Sequence, residues 1–262
     1  MAQYQTLLTE RIEPAVLRVT LNRPQAANAL NTEMGRELLS LWSALADASD
    51  IRCVVLTGAG TRAFCGGADL KERQGMSDAD WQAQHIIFER HYWALLDVPM
   101  PVIAAVNGHA YAGGLEMILA CDFAYAVPGA RFALTETTLG IMPGAGGTQL
   151  LPRAVGERRA KEMILTGRPF TAEEAQEWGL VNRLVAPEAL MDASLATAAQ
   201  IAENAPLAVR QAKKSIHTGL QMDLKNAFLF EIEAYNRLVP TEDRREGITA
   251  FNEKRKPRFT GR

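Results

Sequence analysis

Two short, unbroken apolar runs constrain this chain more than any other feature: Cys53–Thr57 (CVVLT) and Val102–Val106 (VIAAV). Such runs, with no polar alternation, belong to strands buried on both faces, as in a parallel sheet covered by helices. Amphipathic helical segments lie between and around them. Ala15–Leu21 (AVLRVTL) alternates as a strand and stops at Asn22-Arg23-Pro24. From about Thr32 to Asp47, Met34, Leu38, Leu41, Trp42 and Leu45 recur at helical spacing behind Asn31, a good N-cap. Asp78 to about Leu96 reads as a second helix, closed by Pro99 and Pro101. Further strands are expected at Phe123–Val127, Arg131–Leu134 and Val181–Val185, and a helix from about Gly156 to Thr166. Glycine-rich loops are read at Gly58–Ala68 and Gly140–Gly147. Strands and helices alternate to about residue 190, so the expected class is α/β with a largely parallel sheet. From Pro187 onward the pattern is helical only. The expected division is a core over residues 1–190 and a helical region over 191–262.

Charge and cysteine content narrow the function classes. The 262 residues carry a net charge of −2, without the basic field that nucleic-acid binders use. The helix at Thr32–Asp47 contains Glu33, Arg36, Glu37 and Asp47 and no lysine, so no nucleic-acid partner is expected. The widely spaced Cys53, Cys65 and Cys121 form no CxxC pair, which argues against a disulfide framework or a zinc site. His85, His91, His109 and His217 lack metal-ligand spacing, and His85 and His91 read as ordinary helix residues. No segment approaches the ~20 apolar residues of a membrane span. The N-terminal MAQYQTLLTERIEP, with Glu10 and Glu13, does not read as a leader. A soluble cytoplasmic enzyme is the expectation.

Four glycine-rich segments are the candidates for chemistry. Gly58–Ala63 (GAGTRA) matches the dinucleotide fingerprint after a strand, which suggests an oxidoreductase. It runs into Phe64-Cys65-Gly66-Gly67 instead of opening a helix, and no acidic residue ends a later strand. Phe64–Lys71 (FCGGADLK) and Asn107–Asp122 (NGHAYAGGLEMILACD) form the second pair. Gly113-Gly114 stands at the mouth of a helix, where unpaired N–H groups and the positive dipole end suit a negative oxygen. Glu116 lies in that first turn; by itself it also reads as a glutamate that compensates the dipole. In Phe132–Gln149 (FALTETTLGIMPGAGGTQ), Glu136 follows a short strand, where a surface-loop carboxylate is the plainer reading.

Taken together with Leu165–Val181 (LTGRPFTAEEAQEWGLV), these segments resemble the enoyl-CoA hydratase (crotonase) family over nearly the whole chain. The resemblance implies a spiral of strand-strand-helix turns and a C-terminal helical trimerisation region. It implies an oxyanion hole from the N–H groups of Ala68 and Gly113, with Glu116 activating water and Glu136 delivering a proton. Both glutamates are kept, the pattern of the family's hydratases, so water addition to a 2-enoyl-CoA is expected. Isomerisation or thioester hydrolysis on the same scaffold is the alternative. Ala68–Met76 (ADLKERQGM) and Pro240–Arg262 resemble the methylglutaconyl-CoA hydratase branch most. Gln25, Ala26, Ala27 and Ala68–Lys71, which includes Asp69 and Leu70, match segments that line coenzyme A, and Lys254 is a candidate for its phosphates. The Lys254–Arg258 run also reads as a solvated tail. No cofactor is expected beyond the coenzyme A of the acyl-CoA substrate. The expected partner is the chain itself, as a trimer or dimer of trimers, with Ala227, Phe228, Phe230 and Ile232 buried against the body or another subunit. Tyr111-Ala112 stands where a Leu-Gly pair is more usual, His109 where a neutral residue is common, and Leu150 where an arginine often follows Thr-Gln.

Overall fold

The apolar runs become the centre of a sheet. The computed structural model describes residues 4–262, so Met1–Gln3 of the segment read as no leader lie outside the described residues. The strands and helices follow in the order β1 (Leu7–Ile12), β2 (Val16–Leu21), α1 (Thr32–Ala46), β3 (Cys53–Gly58), β4 (Ala63–Cys65), α2 (Leu70–Arg73) and α3 (Asp78–Leu96). Next come β5 (Val102–Val106), β6 (His109–Tyr111), α4 (Gly113–Ala120), β7 (Phe123–Ala126) and β8 (Arg131–Ala133). Then follow α5 (Gly147–Val155), α6 (Glu157–Thr166), β9 (Phe170–Thr171), α7 (Ala172–Glu177) and β10 (Arg183–Leu184). The helices α8 (Leu190–Ala202), α9 (Pro206–Gly219), α10 (Leu224–Asn236) and α11 (Glu242–Asn252) complete the chain.

The larger sheet has the order β1-β2-β3-β5-β7-β10. Every pair in it is parallel except β1 with β2. A smaller sheet, β4-β6-β8-β9, runs beside it. Each turn of the chain thus lays one long strand in the first sheet, one short strand in the second, then a helix: β3-β4-α3, β5-β6-α4, β7-β8-α5. This is the strand-strand-helix spiral that the resemblance implies. The first sheet is sealed by α1, whose Leu38 and Trp42 are buried, and by α8, which sets Ser194, Ala198 and Ala202 against β2, β3, β5 and β7. A fully buried leucine side chain contributes about 1.5–3 kcal/mol. Asn31 caps α1 as expected, its Oδ1 accepting from Met34 N at 3.0 Å.

Two readings are corrected here. The Gly58–Ala68 loop contains β4, and the Gly140–Gly147 loop opens directly into α5, which the residue pattern did not announce. The helix α10 packs chiefly on α9. Ala227 and Phe230 are half-buried, while Phe228 and Ile232 remain 58% and 41% exposed. Within one chain these side chains are therefore not buried against the body. No helix among the described residues is long and apolar enough to cross a membrane.

Candidate active site

Two turns abut, one after β4 and one between β6 and α4. Gly67 has φ +90°, and a Cβ there would stand 2.8 Å from Ala112 Cβ and 3.0 Å from Tyr111 O, so only glycine admits this approach. Leu30 straddles the first turn: Leu30 N donates to Gly67 O at 2.7 Å, and Asp69 N donates to Leu30 O at 2.8 Å. The intervening Ala68 N–H has no acceptor among the described residues. Gly113 opens α4, so its N–H is likewise unpaired, as first-turn donors are. The two expected oxyanion donors therefore sit on abutting turns, both free and both on one cavity wall.

The second turn is held in a costly shape. Ala112 has φ 50° and ψ −124°, a left-handed conformation that strains a non-glycine residue by about 1–3 kcal/mol. Its N donates to Ala133 O at 2.8 Å, and its carbonyl accepts from Leu115 N and Glu116 N at 2.9 and 3.0 Å. The Tyr92 hydroxyl, from α3, donates to the Gly113 carbonyl. These bonds over-determine the turn and keep the strain in place.

The two glutamates occupy different environments. Glu116, in the first turn of α4, is buried, and its Oε1 accepts from Ala145 N and Gly147 N at 2.9 and 2.8 Å. Burial pushes its carboxyl up from the usual range, while those two donors oppose the shift. Glu136 begins the 3₁₀ turn Glu136–Leu139 after β8 and is also buried. Its Oε2 has no hydrogen-bond partner among the described residues. Burial first, then the nearby Glu116 charge, raises its carboxyl to about 7. Both line a cavity of about 470 Å³ with Ala68 and Gly113. The spiral brings these four residues together from three successive turns.

Other residues line this cavity that sequence reasoning passed over. His85 is corrected from an ordinary helix position to the cavity wall, its Nε2 3.2 Å from Glu89 Oε1. His91 is fully buried with neither ring nitrogen bonded, and burial lowers it to about 3. Arg73, Trp81, Phe88 and Tyr92 complete the wall opposite the glutamates' loops. For those on α3 the signal is helical spacing, since Trp81, His85, Phe88 and Tyr92 form one i, i+3, i+4 stripe.

The expected coenzyme A residues divide. Gln25 and Ala26 lie in the 3₁₀ turn Pro24–Ala26, and the Ala27 carbonyl accepts from Gly66 N at 2.9 Å, placing this segment beside the Ala68 turn. Leu70 lines the cavity and is exposed, as is Lys71. Asp69 is committed to the fold, capping α2 through Lys71 N and Glu72 N and pairing with Arg23 at 2.9 Å. Lys254 follows α11 and does not line the cavity of its own chain. Its neighbour Arg255 is engaged by Glu246 and Glu253, both at 2.6 Å. The dinucleotide-like Gly58–Ala63 leads into β4, without a helix N-terminus for a pyrophosphate.

Comparison with known proteins establishes the family and the fold. The enoyl-CoA hydratase/isomerase family model matches residues 11–262. The chain is 51% identical over 244 residues to the Bacillus subtilis (strain 168) protein YngF, named for enoyl-CoA hydratase/isomerase, covering 93% of this chain and 94% of that one. It is 42% identical over 244 residues to the short-chain-enoyl-CoA hydratase of Clostridium acetobutylicum, with the same coverage of 93% and 94%. The crystal structure of enoyl-CoA hydratase from Bacillus anthracis superposes with a TM-score of 0.97 at 44% identity, covering 98% of this chain and 100% of that one. With family and fold matched along nearly its whole length, the chain belongs to the enoyl-CoA hydratase/isomerase family and is an enzyme of the crotonase superfamily.

Proposed function

We propose that the protein is an enoyl-CoA hydratase, adding water syn across a 2-enoyl-CoA to give a 3-hydroxyacyl-CoA. The observation that carries this reading is the pair of buried glutamates in unlike environments, set beside two unpaired N–H groups. The thioester carbonyl accepts from Ala68 N and Gly113 N. These donors stabilise the enolate-like oxygen that forms as water adds, each worth on the order of 3 kcal/mol. Glu116, anchored through Oε1 by two backbone donors, keeps its other oxygen for water and acts as base. Glu136, raised to about 7, is substantially protonated near neutral pH and delivers the proton to the α-carbon. No cofactor enters these steps.

Isomerisation and thioester hydrolysis are the alternatives on this scaffold, and the product formed from crotonyl-CoA separates them. A hydratase destroys the conjugated enoyl absorbance and yields a 3-hydroxyacyl thioester. Release of free coenzyme A, or persistence of the conjugated absorbance with active protein, would reject the proposal. Hydration of a methylglutaconyl-type substrate is the same chemistry with another acyl chain, and the wall facing that chain decides it.

Coenzyme A is proposed to lie along Gln25–Ala27 and Ala68–Lys71, with Lys254 serving a neighbouring subunit's phosphates. A division into a catalytic core of 1–190 and an assembly region of 191–262 goes with this, with α8 still covering the sheet. The exposed Leu224, Phe228, Leu229 and Ile232 on α10 support burial between subunits. A trimer or dimer of trimers is the expected result of light scattering, and a stable monomer would reject it.

A further inference from the structure

Glu116, the proposed base, is oriented by a segment with little anchorage of its own. Its Oε1 accepts from Ala145 N and Gly147 N at 2.9 and 2.8 Å. Gly147 opens α5 and is carried by that helix. Ala145 has no such support. The segment Met142–Ala145 lies in no helix or strand, and among the described residues its bond to Glu116 is the only hydrogen bond it makes. Pro143 has no N–H to offer, and Met142 is 65% exposed. The residue that meets this segment from α3 is His85. A Cβ built on Gly144 would stand 2.7 Å from His85 Cε1 and 3.0 Å from its Nε2, so the imidazole lies directly on the Gly144 backbone. Gly144 has no left-handed φ, so what asks for glycine here is the ring and not a turn. His85 stands on a fixed support. Gln84 ties α3 to α1, its Nε2 donating to Thr32 Oγ1 at 2.8 Å, and the Phe88 ring fills the space beside Gly35 of α1. His85 Nε2 lies 3.2 Å from Glu89 Oε1, one turn further on, which holds the ring's orientation.

We propose that His85 is a positioning residue: its ring pins the Gly144–Ala145 backbone to α3 and so keeps the Ala145 N–H on Glu116 Oε1. This rests on the hydratase reading for the role of Glu116 as base. A carboxylate held by two fixed donors presents its other oxygen to water in one direction. With one donor adrift the carboxylate swings, and a displacement of about 1 Å from the attack geometry costs up to roughly 100-fold in rate. Gly147 N stays in place, so the loss expected from freeing Ala145 alone is smaller, about 10-fold.

Two measurements on the full chain test this. Amide hydrogen exchange in peptides covering residues 142–147 reads the anchor without turnover. His85→Ala should exchange there at least ~5-fold faster than wild type. His85→Phe, which keeps a ring over Gly144 without the imidazole nitrogens, should bring exchange back toward the wild-type rate. Steady-state hydration of crotonyl-CoA reads the consequence. His85→Ala should lower kcat about 10-fold with the Kd of butyryl-CoA unchanged, and His85→Phe should recover most of that loss. In a Glu116→Gln background His85→Ala should cost less than about 2-fold, because the group it acts through is already gone. The same 10-fold loss in both backgrounds overturns the proposal, since a general structural role or a substrate contact would give it. So does unchanged exchange in His85→Ala, or a loss that appears in butyryl-CoA binding and not in kcat. If even the wild-type protein leaves crotonyl-CoA unhydrated while exchange rises in His85→Ala and returns in His85→Phe, the anchor stands and the hydratase reading falls. Hydration with exchange and kcat both indifferent to His85 gives the reverse.

Discussion

Replacing either Glu116 or Glu136 by glutamine is expected to lower kcat for enoyl-CoA hydration at least ~100-fold, the scale of lost general acid–base catalysis. The amide keeps the size and hydrogen-bonding shape but cannot exchange a proton. Binding of a saturated acyl-CoA should change little, because neither carboxyl belongs to Gln25–Ala27 or Ala68–Lys71, the segments proposed to hold coenzyme A. The two variants should differ in what they do to stability. Glu136 is raised to about 7 from an ordinary carboxyl value near 4.5, chiefly by burial. A carboxyl raised on folding holds its proton more tightly in the folded state, so stability falls as pH rises from the ordinary value to about 7. Above that pH the wild-type protein carries the full cost of a buried, unpaired charge, roughly 3 kcal/mol at most. Glu136→Gln removes that cost, so the variant should melt higher than wild type at pH 8 while being nearly inactive. In the wild-type enzyme the same group should impose an alkaline limb on kcat/KM, with activity falling as pH rises through about 7 and the proton donor is lost. Near-wild-type hydration by either variant would falsify the roles assigned, and a pH profile flat from 6 to 9 would remove Glu136 as the acid.

What could be read in the residues depended on length and periodicity. The helix expected at Thr32–Asp47 is α1 to within a residue, because five apolar positions and an asparagine cap agree. CVVLT and VIAAV are β3 and β5, fully buried, as unbroken apolar runs should be. The three-residue strands β4 and β6 left no trace, since three residues hold no measurable period, and β8, equally short, was legible only between the Pro128-Gly129 turn and the following loop. β1 was missed for another reason: of Leu7–Ile12 only Leu7 is buried, so this edge strand lacks the alternation that marks a half-buried one. At the site, the Gly113-Gly114 helix mouth carried its own chemical reason, whereas Ala68 and the roles of Glu116 and Glu136 came from the family resemblance, because a first-turn glutamate and a loop glutamate each have a plainer reading in the residues alone. Arg73 carried no motif, and the α3 stripe that holds Trp81 and His85 marked a helix face without saying what it faces. They reach the cavity only because α2 and α3 fold over it, and that placement is a tertiary fact.

Gly114→Ala is expected to be the most destabilising single-methyl change in the active-site framework. A Cβ at this position would stand 2.1 Å from the Cys65 carbonyl oxygen and 2.8 Å from its carbon. Those atoms are backbone at the end of β4, whose residues are all buried, so no flexible side chain can give way. The close approach is what seats the first turn of α4 against the strand leading into Gly66–Ala68, and so sets the spacing of the two unpaired N–H groups. An added methyl must push helix and strand apart. The expected cost is ~3 kcal/mol or more, at the upper end for overpacking, because it falls on rigid backbone. In a domain of this size that corresponds to a melting temperature lower by roughly 6–12 °C. Protein that still folds should also lose kcat on crotonyl-CoA, since Gly113 moves with Gly114 and one oxyanion donor leaves its place. Gly129→Ala is the matched control: it adds the same methyl where nothing lies within 4 Å, and it should leave both melting and kcat unchanged. Thermal denaturation and steady-state hydration of the two variants, measured side by side, check the pair. Equal melting temperatures would show that the contact between α4 and β4 yields to a methyl group and does not set the geometry of the oxyanion donors.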